Sequence, residues 1–388
     1  MNEKVVAKTF EDKFKSSPSI AVRAPGRINL IGEHTDYNDG FVLPAAIDKA
    51  IYFCLSKRDD NTVILNSVDL NDEHELSLDD IKKSNKDWAN FLIGVIKEIK
   101  DTNPKLNAGF NLTFGGDVPL GAGLSSSAAI ESGLAFALNE LFNLNFSLLD
   151  LAKIAQSAEH NFAGVRCGIM DMYASLMGKK GKVIQLDCKN LKHTYLPFEM
   201  DEISVVLFNS GVKHNLAESA YNERREQCEQ GLSFFQKNYP EVSSFRDLSF
   251  ETLEKHKADL DEKVYDRCLY VLSEEDRMKK ATVALTEGNL PAFGELMYQT
   301  HDGLKDDYEV SCDELDFLVD LTKDKPGVLG ARMMGGGFGG CTINIVKKDS
   351  VSNLIEAVKI AYLSKFDINI EHFQVQITDG CSVIYELA

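Results

Sequence analysis

The sequence predicts a mixed α/β (α+β) chain built as two domains. Three observations lead there. The chain has 388 residues, more than the roughly 100–200 of one typical domain. Runs that alternate apolar and polar residues are interspersed with stripes of helical period along its whole length. The composition shifts near residues 190–200, which puts a boundary between 1–195 and 196–388. Hydrophobic residues make up 44% and charged residues 26%, a globular balance and not that of a disordered chain.

The elements follow in order. Residues 19–23 read as a short strand, with Ile20 and Val22 alternating, and lead into a long polar loop over 24–40. A loop of that length inside a compact domain is usually functional. Residues 45–56 and 62–67 are further strands. Residues 87–99 carry Phe91, Leu92, Val95 and Ile96 on one helical stripe. Phe110, Leu112 and Phe114 alternate as a strand. A glycine- and serine-rich turn follows, then a helix with Ile130, Leu134, Ala137, Leu138 and Leu141 on one face. Residues 148–162 form another amphipathic helix, and 178–187 turn strand-like. The second half mixes helices over 216–239, 261–287, 290–304 and 312–322 with strands over 340–346 and 373–377. Asp379-Gly380 is a tight-turn pair, which predicts a closing hairpin between 373–377 and 382–387.

The formal net charge is -18. An acidic surface disfavours nucleic acid and anionic membranes as partners. Any anionic substrate must then be held by local donors. The eight cysteines are scattered and form no C-x-x-C pair, so they read as reduced thiols and not as a disulfide framework or zinc site. No apolar leader segment and no stretch of about 18 apolar residues occurs. The expectation is a soluble, cytoplasmic protein, monomeric, with no nucleic-acid or membrane partner.

Three segments carry chemistry. The first is 119–129, PLGAGLSSSAA, between a strand and a helix. Glycines let the backbone approach a ligand closely, and three serines offer hydroxyls and a helix N-cap. The helix N-terminus would then face a phosphate. It lacks the Gly-Lys-Ser/Thr ending of a Walker A loop. Taken alone it also fits a capped helix after a glycine-rich turn. The second is 335–340, GGGFGG, formally G-x-G-x-x-G. A dinucleotide site needs a helix after it, yet 341–346 is strand-like, so that site is rejected. A flexible hairpin and a backbone lying against a ligand both stay open. The third is 23–40, RAPGRINLIGEHTDYNDG, in which Glu33, His34 and Asp36 fall within four residues. Such groups can hydrogen-bond several hydroxyls of one sugar. They also fit a solvated charged loop, although Pro25 and the glycines argue for a shaped one.

Together, in this order, the three segments resemble the GHMP kinases, and 26–40 followed by Val42-Leu-Pro44 is similar to the galactokinase signature among them. The resemblance runs on through 167–171 (CGIMD), 221–225 (YNERR) and 306–316 (DDYEVSCDELD). It implies a two-domain GHMP kinase fold, with an N-terminal half like ribosomal protein S5, a ferredoxin-like C-terminal half and an active site between them. It implies transfer of the γ-phosphoryl group of Mg·ATP to O1 of galactose. The substrates would be galactose and ATP, with Mg²⁺ as the metal. Pro119, Leu120, Gly121, Ala122, Gly123, Leu124, Ser125, Ser126, Ser127 and Ala128 would wrap ATP, and Trp88 would lie by the adenine. Ser127 and Glu159 would hold Mg²⁺, both being hard oxygen ligands. Glu33, His34, Thr35, Asp36, Gly168, Asp171 and Tyr221 would contact the sugar. Arg27 and Asp171 would flank the attacking hydroxyl, Asp171 as its base.

Met172, Met334 and Gly336 depart from the commoner galactokinase pattern, which bears on fine specificity more than on the reaction. The rivals are a kinase for another sugar, such as N-acetylgalactosamine or L-arabinose, and a non-catalytic galactose sensor. Some sensors lack the Ser-Ala pair present here at 127–128, which favours an enzyme. Glu33, His34 and Asp36 disfavour a homoserine or mevalonate kinase. Arg224, Arg225, Arg246 and Asp187 are assigned to structural ion pairing or a solvated face.

Overall fold

The computed structural model describes residues 1–119, 123–212 and 217–386. The first half supplies β1 (Ile20–Asn29), β2 (Phe41–Val42), β3 (Pro44–Lys57), β4 (Thr62–Ser67), β5 (Asp72–Ser77), β6 (Phe110–Gly116), β7 (Lys182–Asp187) and β8 (Lys192–Pro197). Its helices are α1 (Glu3–Phe14), α2 (Asp87–Thr102), α3 (Ser126–Phe142), α4 (Leu148–Ala158) and α5 (Met170–Met177). The second half supplies β9 (Ile203–Asn209), β10 (Val328–Met333), β11 (Cys341–Lys347), β12 (Glu371–Val375) and β13 (Ser382–Glu386). Its helices are α6 (Ala217–Asn238), α7 (Phe250–Lys255), α8 (Glu262–Thr286), α9 (Leu290–Asp306), α10 (Asp313–Lys323) and α11 (Val351–Phe366).

A six-stranded sheet runs in the order β13-β1-β3-β6-β4-β5, and a four-stranded sheet in the order β10-β11-β9-β12. A small third sheet, β2-β7-β8, sits beside them. Strand alternation sorts the faces. Ala21 and Cys54 pack with Val6 and Phe10 of α1 on one face of the large sheet. Val22, Phe53 and Leu55 point the other way, into the main core with α2 to α5. In the second sheet Val205, Leu207, Ile343 and Ile345 join that main core, while Val206, Phe208 and Val346 meet α10 and α11. The two halves therefore share one continuous apolar interior, and the site lies along the seam.

Four expectations change. β1 does not stop at Arg23 but continues to Asn29, so the first six residues of the predicted loop are strand. Its register against β3 slips between Pro25 and Arg27, an irregularity of the kind that lets proline sit inside a sheet. The helix over 148–162 is α-helical only to Ala158 and becomes a π turn over Glu159–Ala163. The closing hairpin does not form. β12 pairs with β9 in one sheet and β13 with β1 in the other. Gly380 serves close approach instead of a turn: a Cβ there would stand 2.4 Å from the Leu176 carbonyl oxygen, and its N–H donates to Gly178 O at 2.9 Å. Finally, α1 is a well-formed helix capped by Asn2, in a stretch whose polarity gave no such sign.

Candidate active site

The glycine-rich loop leads into α3. Gly123 takes the left-handed conformation, φ +72°, and a Cβ there would meet Met334 O at 3.1 Å. Its carbonyl accepts from Arg27 Nη1 at 2.6 Å, and Leu124 O accepts from Arg27 N at 3.2 Å. Ser125 is the N-cap residue, also left-handed, yet its side chain makes no capping bond. The hydroxyl donates to Asp171 Oδ2 instead. The expected serine cap is thus redirected to a carboxylate. Leu124 and Ala128 are core residues, so within the described stretch 123–128 it is the backbone and the serines that can face a ligand. Leu120, Gly121 and Ala122 lie outside the described residues.

Arg27, on β1, is 4% exposed. Its Nε donates to Asp171 Oδ1 at 2.7 Å and its Nη2 to Asp171 Oδ2 at 2.8 Å. Burial alone would lower the guanidinium pKa, but the Asp171 carboxylate raises it overall. Asp171 sits in the first turn of α5, with its side chain 24% exposed. A carboxylate has about four acceptor positions, and the two Arg27 bonds and Ser125 take three. One remains open toward the cavity.

Residues 33–38 wind tightly after β1. Glu33 Oε2 accepts from Arg332 Nη1 at 2.8 Å and from Gly335 N at 3.0 Å. His34 adopts φ +61°; its Nε2 meets Gly336 O at 3.2 Å and its Nδ1 meets Tyr37 Oη at 2.7 Å. Burial depresses its pKa to about 3, so the ring is neutral. Asp36 opens a short 3₁₀ turn. Burial, then the charges of Asp171 and Glu33, push its pKa up to about 7. Gly168 lies flush against it: a Cβ there would fall 1.9 Å from Asp36 Oδ2.

Ser127 Oγ donates to Glu159 Oε1 at 3.0 Å, and Cys167 Sγ to Glu159 Oε2 at 3.3 Å. The π turn places Glu159 there. Burial, reinforced by the Asp171 charge, pushes its pKa up to about 7. One helical turn beyond Ser127, both oxygens of Glu131 are buried without a hydrogen-bond partner among the described residues.

These side chains converge. Arg27, Glu33, His34, Asp36, Gly168, Asp171, Tyr221 and Glu159 line one cavity of about 130 Å³, closed on another side by Gly335 and Gly336. The 335–340 loop joins two antiparallel strands, so it is a hairpin whose backbone lies on the cavity. Thr35 is the predicted sugar-contact residue that does not line it, and among the described residues predicted for ATP, Trp88, Pro119 and 123–128 do not line it either. Thr35 Oγ1 donates within its own loop, to Gly32 O and Phe41 O at 2.8 Å; it shapes the loop and does not line the cavity. Trp88 donates from Nε1 to Asp72 Oδ2 at 2.9 Å, sits against Phe114 and does not line this cavity.

Arg332 went unread in the sequence. It is fully buried and holds Glu33, Leu30 O, Asn29 O and Met333 O. Its only sequence signal is its place just before the glycine-rich hairpin. Cys167 and Ser125 belong to the sequence motifs, but nothing in the residue order marks their contacts with Glu159 and Asp171.

Three family models match the chain: the galactokinase galactose-binding signature over residues 8–57, the GHMP kinase N-terminal domain over 90–179 and the GHMP kinase C-terminal domain over 281–363. The galactokinase of Clostridium beijerinckii is 42% identical over 383 residues, covering 98% of each chain. That of Thermotoga maritima is 40% identical over 94% of this chain and 99% of its own. The chain belongs to the galactokinases. The crystal structure of Lactococcus lactis galactokinase complexed with galactose superposes with a TM-score of 0.94, at 36% identity and over 98% of this chain and 99% of that one. A mevalonate kinase, 21% identical with a TM-score of 0.63 over 93% of this chain, shares the fold. The galactokinase signature covers β1 and the 33–38 cluster, and the N-terminal domain model covers the loop, Glu159 and Asp171. Tyr221 falls outside all three, though it reaches the same cavity. Among the described residues no helix is long and apolar enough to cross a membrane.

Proposed function

We propose that the protein transfers the γ-phosphoryl group of ATP to O1 of α-D-galactose, giving galactose 1-phosphate and ADP. The observation that carries this reading is the Arg27–Asp171 pair, set between the glycine-rich loop and a cavity walled by Glu33 and Asp36. Phosphoryl transfer needs alignment and charge neutralisation more than covalent chemistry. The loop and the start of α3 offer backbone N–H groups to phosphate. Glu33 Oε1 and Asp36 offer acceptors to sugar hydroxyls, with Gly168 leaving room for Asp36. Asp171 accepts the O1 proton at its free lone pair, and Arg27 balances charge on the transferring phosphoryl oxygens.

The residues fit Mg²⁺. Ser127 Oγ and the Glu159 carboxylate are hard oxygen donors, and Mg²⁺ is usually held by one or two carboxylates plus substrate phosphates. Glu159 is buried, accepts from the Ser127 hydroxyl and the Cys167 thiol and has the Glu131 carboxyl beside it, so a cation would offset the burial that disfavours its charge. Bound there, Mg²⁺ would neutralise charge on the ATP phosphates.

A coupled ADP-release assay over a sugar panel, with product analysis by phosphorus NMR, tests the proposal. An α-1-phosphate of galactose is expected. A 6-phosphate product, or equal turnover of glucose, would refute it.

A further inference from the structure

A chain of hydrogen bonds leaves the cavity wall, part-buried at first and fully buried at its far end. It starts at Gly336 O, which meets His34 Nε2 at 3.2 Å. His34 Nδ1 meets Tyr37 Oη at 2.7 Å, Tyr37 Oη meets Tyr308 Oη at 2.9 Å, and Tyr308 Oη meets Cys228 Sγ at 3.1 Å. Cys228 lies on α6, and Tyr308 between α9 and α10. Tyr308 and Cys228 are wholly buried, and neither lines the cavity.

The direction of every link follows from one end. A carbonyl oxygen only accepts, so His34 Nε2 carries the proton. The ring is neutral because burial, with Arg224 and Arg332 adding to it, disfavours the imidazolium. Nδ1 therefore accepts, and Tyr37 must donate to it. Tyr37 has then spent its proton and accepts from Tyr308, which accepts in turn from the Cys228 thiol. Burial pushes that thiol up to about 11, so it keeps its proton at neutral pH. Both His34 nitrogens are thereby occupied, and neither is free for a sugar hydroxyl.

We propose that Cys228, Tyr308, Tyr37 and His34 form one directed hydrogen-bond chain that locks the Gly335–Gly336 backbone over the sugar cavity, so that Tyr37 and Tyr308 are positioning residues for the sugar and His34 acts through its ring and not as a hydrogen-bonding ligand. The same segment is gripped from its other side, since Gly335 N donates to Glu33. Loosening the His34 end would let Gly336 swing and would blunt the cavity wall that Tyr221 also forms, its ring standing 3.3 Å from where a Gly336 Cβ would be. The inference rests on the sugar-kinase reading for its kinetic arm alone.

Two measurements test it. Nitrogen NMR of the ligand-free protein, with the His34 signals identified by their loss in His34→Asn, should show Nε2 protonated and Nδ1 bare across neutral pH. Tyr37→Phe should mix the tautomers. That arm does not depend on which sugar is phosphorylated. In kinetics, Tyr308→Phe removes one hydroxyl and keeps the ring, and losing one neutral hydrogen bond should raise the galactose KM about 3–10-fold while the ATP KM holds. Tyr362→Phe is the control. It is equally buried, and its hydroxyl donates to Ser210 O at 2.7 Å; it should leave the galactose KM alone. Should Tyr308→Phe fail to fold, Cys228→Ala takes its place with the same expectation. A protonated Nδ1 in the wild type, an unchanged galactose KM in the chain variants, or an equal rise in Tyr362→Phe would overturn the proposal.

Discussion

Arg27 and Asp171 meet side by side, Nε to Oδ1 at 2.7 Å and Nη2 to Oδ2 at 2.8 Å, while Ser125 donates to the same carboxylate. Asp171→Asn keeps the size and loses the basicity. It also turns an amide N–H₂ toward the guanidinium whichever way it lies, since Arg27 donates to both oxygens. We expect kcat to fall about 10²–10⁴-fold, the usual worth of general-base help, with galactose binding retained in calorimetry. The alternative is a loose transition state in which proton removal comes late; it would leave kcat near normal and make Arg27→Lys the more damaging change. Near-normal turnover of Asp171→Asn removes the base assignment.

Glu159 and Ser127 share a hydrogen bond of 3.0 Å on the far side of the loop. Ser127→Ala and Glu159→Gln should each raise the Mg²⁺ concentration needed for half-maximal turnover and leave the thermal unfolding profile of the ligand-free protein largely unchanged. Titration of activity against Mg²⁺ reads this directly. Wild-type Mg²⁺ dependence in both variants places the metal elsewhere.

Gly168 touches Asp36 so closely that alanine cannot fit without displacing the carboxylate. Gly168→Ala should raise the galactose KM about 10–150-fold, matching loss of one charged hydrogen bond of about 1.5–3 kcal/mol. The ATP KM should stay put. An effect on ATP alone would contradict the sugar role of Asp36.

Asp36 also makes a pH prediction. Its folded pKa, about 7, lies well above the ordinary carboxyl value of about 3.9. The unfolded carboxyl ionises first as pH rises, so this group costs stability progressively between pH 4 and 7, and the full cost is present at pH 8. Asp36→Asn removes an ionisable group from the same place. The ligand-free variant should therefore be more stable than wild type at pH 8, by on the order of 2–4 kcal/mol, with the gap narrowing below pH 7 and closing only near pH 4. The difference between the two proteins isolates Asp36 from His34, whose depressed pKa acts in the opposite sense below about pH 6.5. An unchanged stability difference between pH 8 and pH 5 would count against a charge-crowded Asp36.

Much of this was legible in the residue order, and the failures have physical causes. The 23–40 and 119–129 segments announced the site because glycines, serines and carboxylates crowd there for no helical or strand period. Pro25 and Gly26 hid the continuation of β1, since a proline inside a strand is tolerated only at an irregularity that sequence does not reveal. The period over 148–162 is smooth, so nothing marked the π turn that aims Glu159. Asp379-Gly380 looks like a turn whether its glycine serves a hairpin or a close backbone crossing. Contacts such as Ser125 to Asp171 and Tyr37 to Tyr308 join residues 46 and 271 positions apart. No local pattern encodes those distances; only the packing of the two sheets around one core does.

Arg332 offers the sharpest test of how the sugar wall is held. It is fully buried on β10, as is Glu33. Its guanidinium donates to Glu33 Oε2 at 2.8 Å, to Leu30 O at 2.9 Å, and to Asn29 O and Met333 O. It therefore ties the end of β1 to the start of the glycine-rich hairpin while fixing the carboxylate that faces the sugar. Arg332→Met deletes the cation, leaves Glu33 with the Gly335 N–H as its remaining donor, and takes a donor from three carbonyls, Asn29 O, Leu30 O and Met333 O. Breaking one side of a buried pair typically costs about 3–5 kcal/mol, because the remaining charge is uncompensated. Glu33→Gln in the Arg332→Met background removes that charge and should recover part of the stability. The two losses should thus be strongly non-additive in chemical denaturation. Galactose affinity should not recover with it, since the amide presents a donor where the sugar meets an acceptor. Full additivity of the two substitutions in stability would mean that Arg332 acts on the two backbone segments alone, and that Glu33 is held by something other than its buried partner.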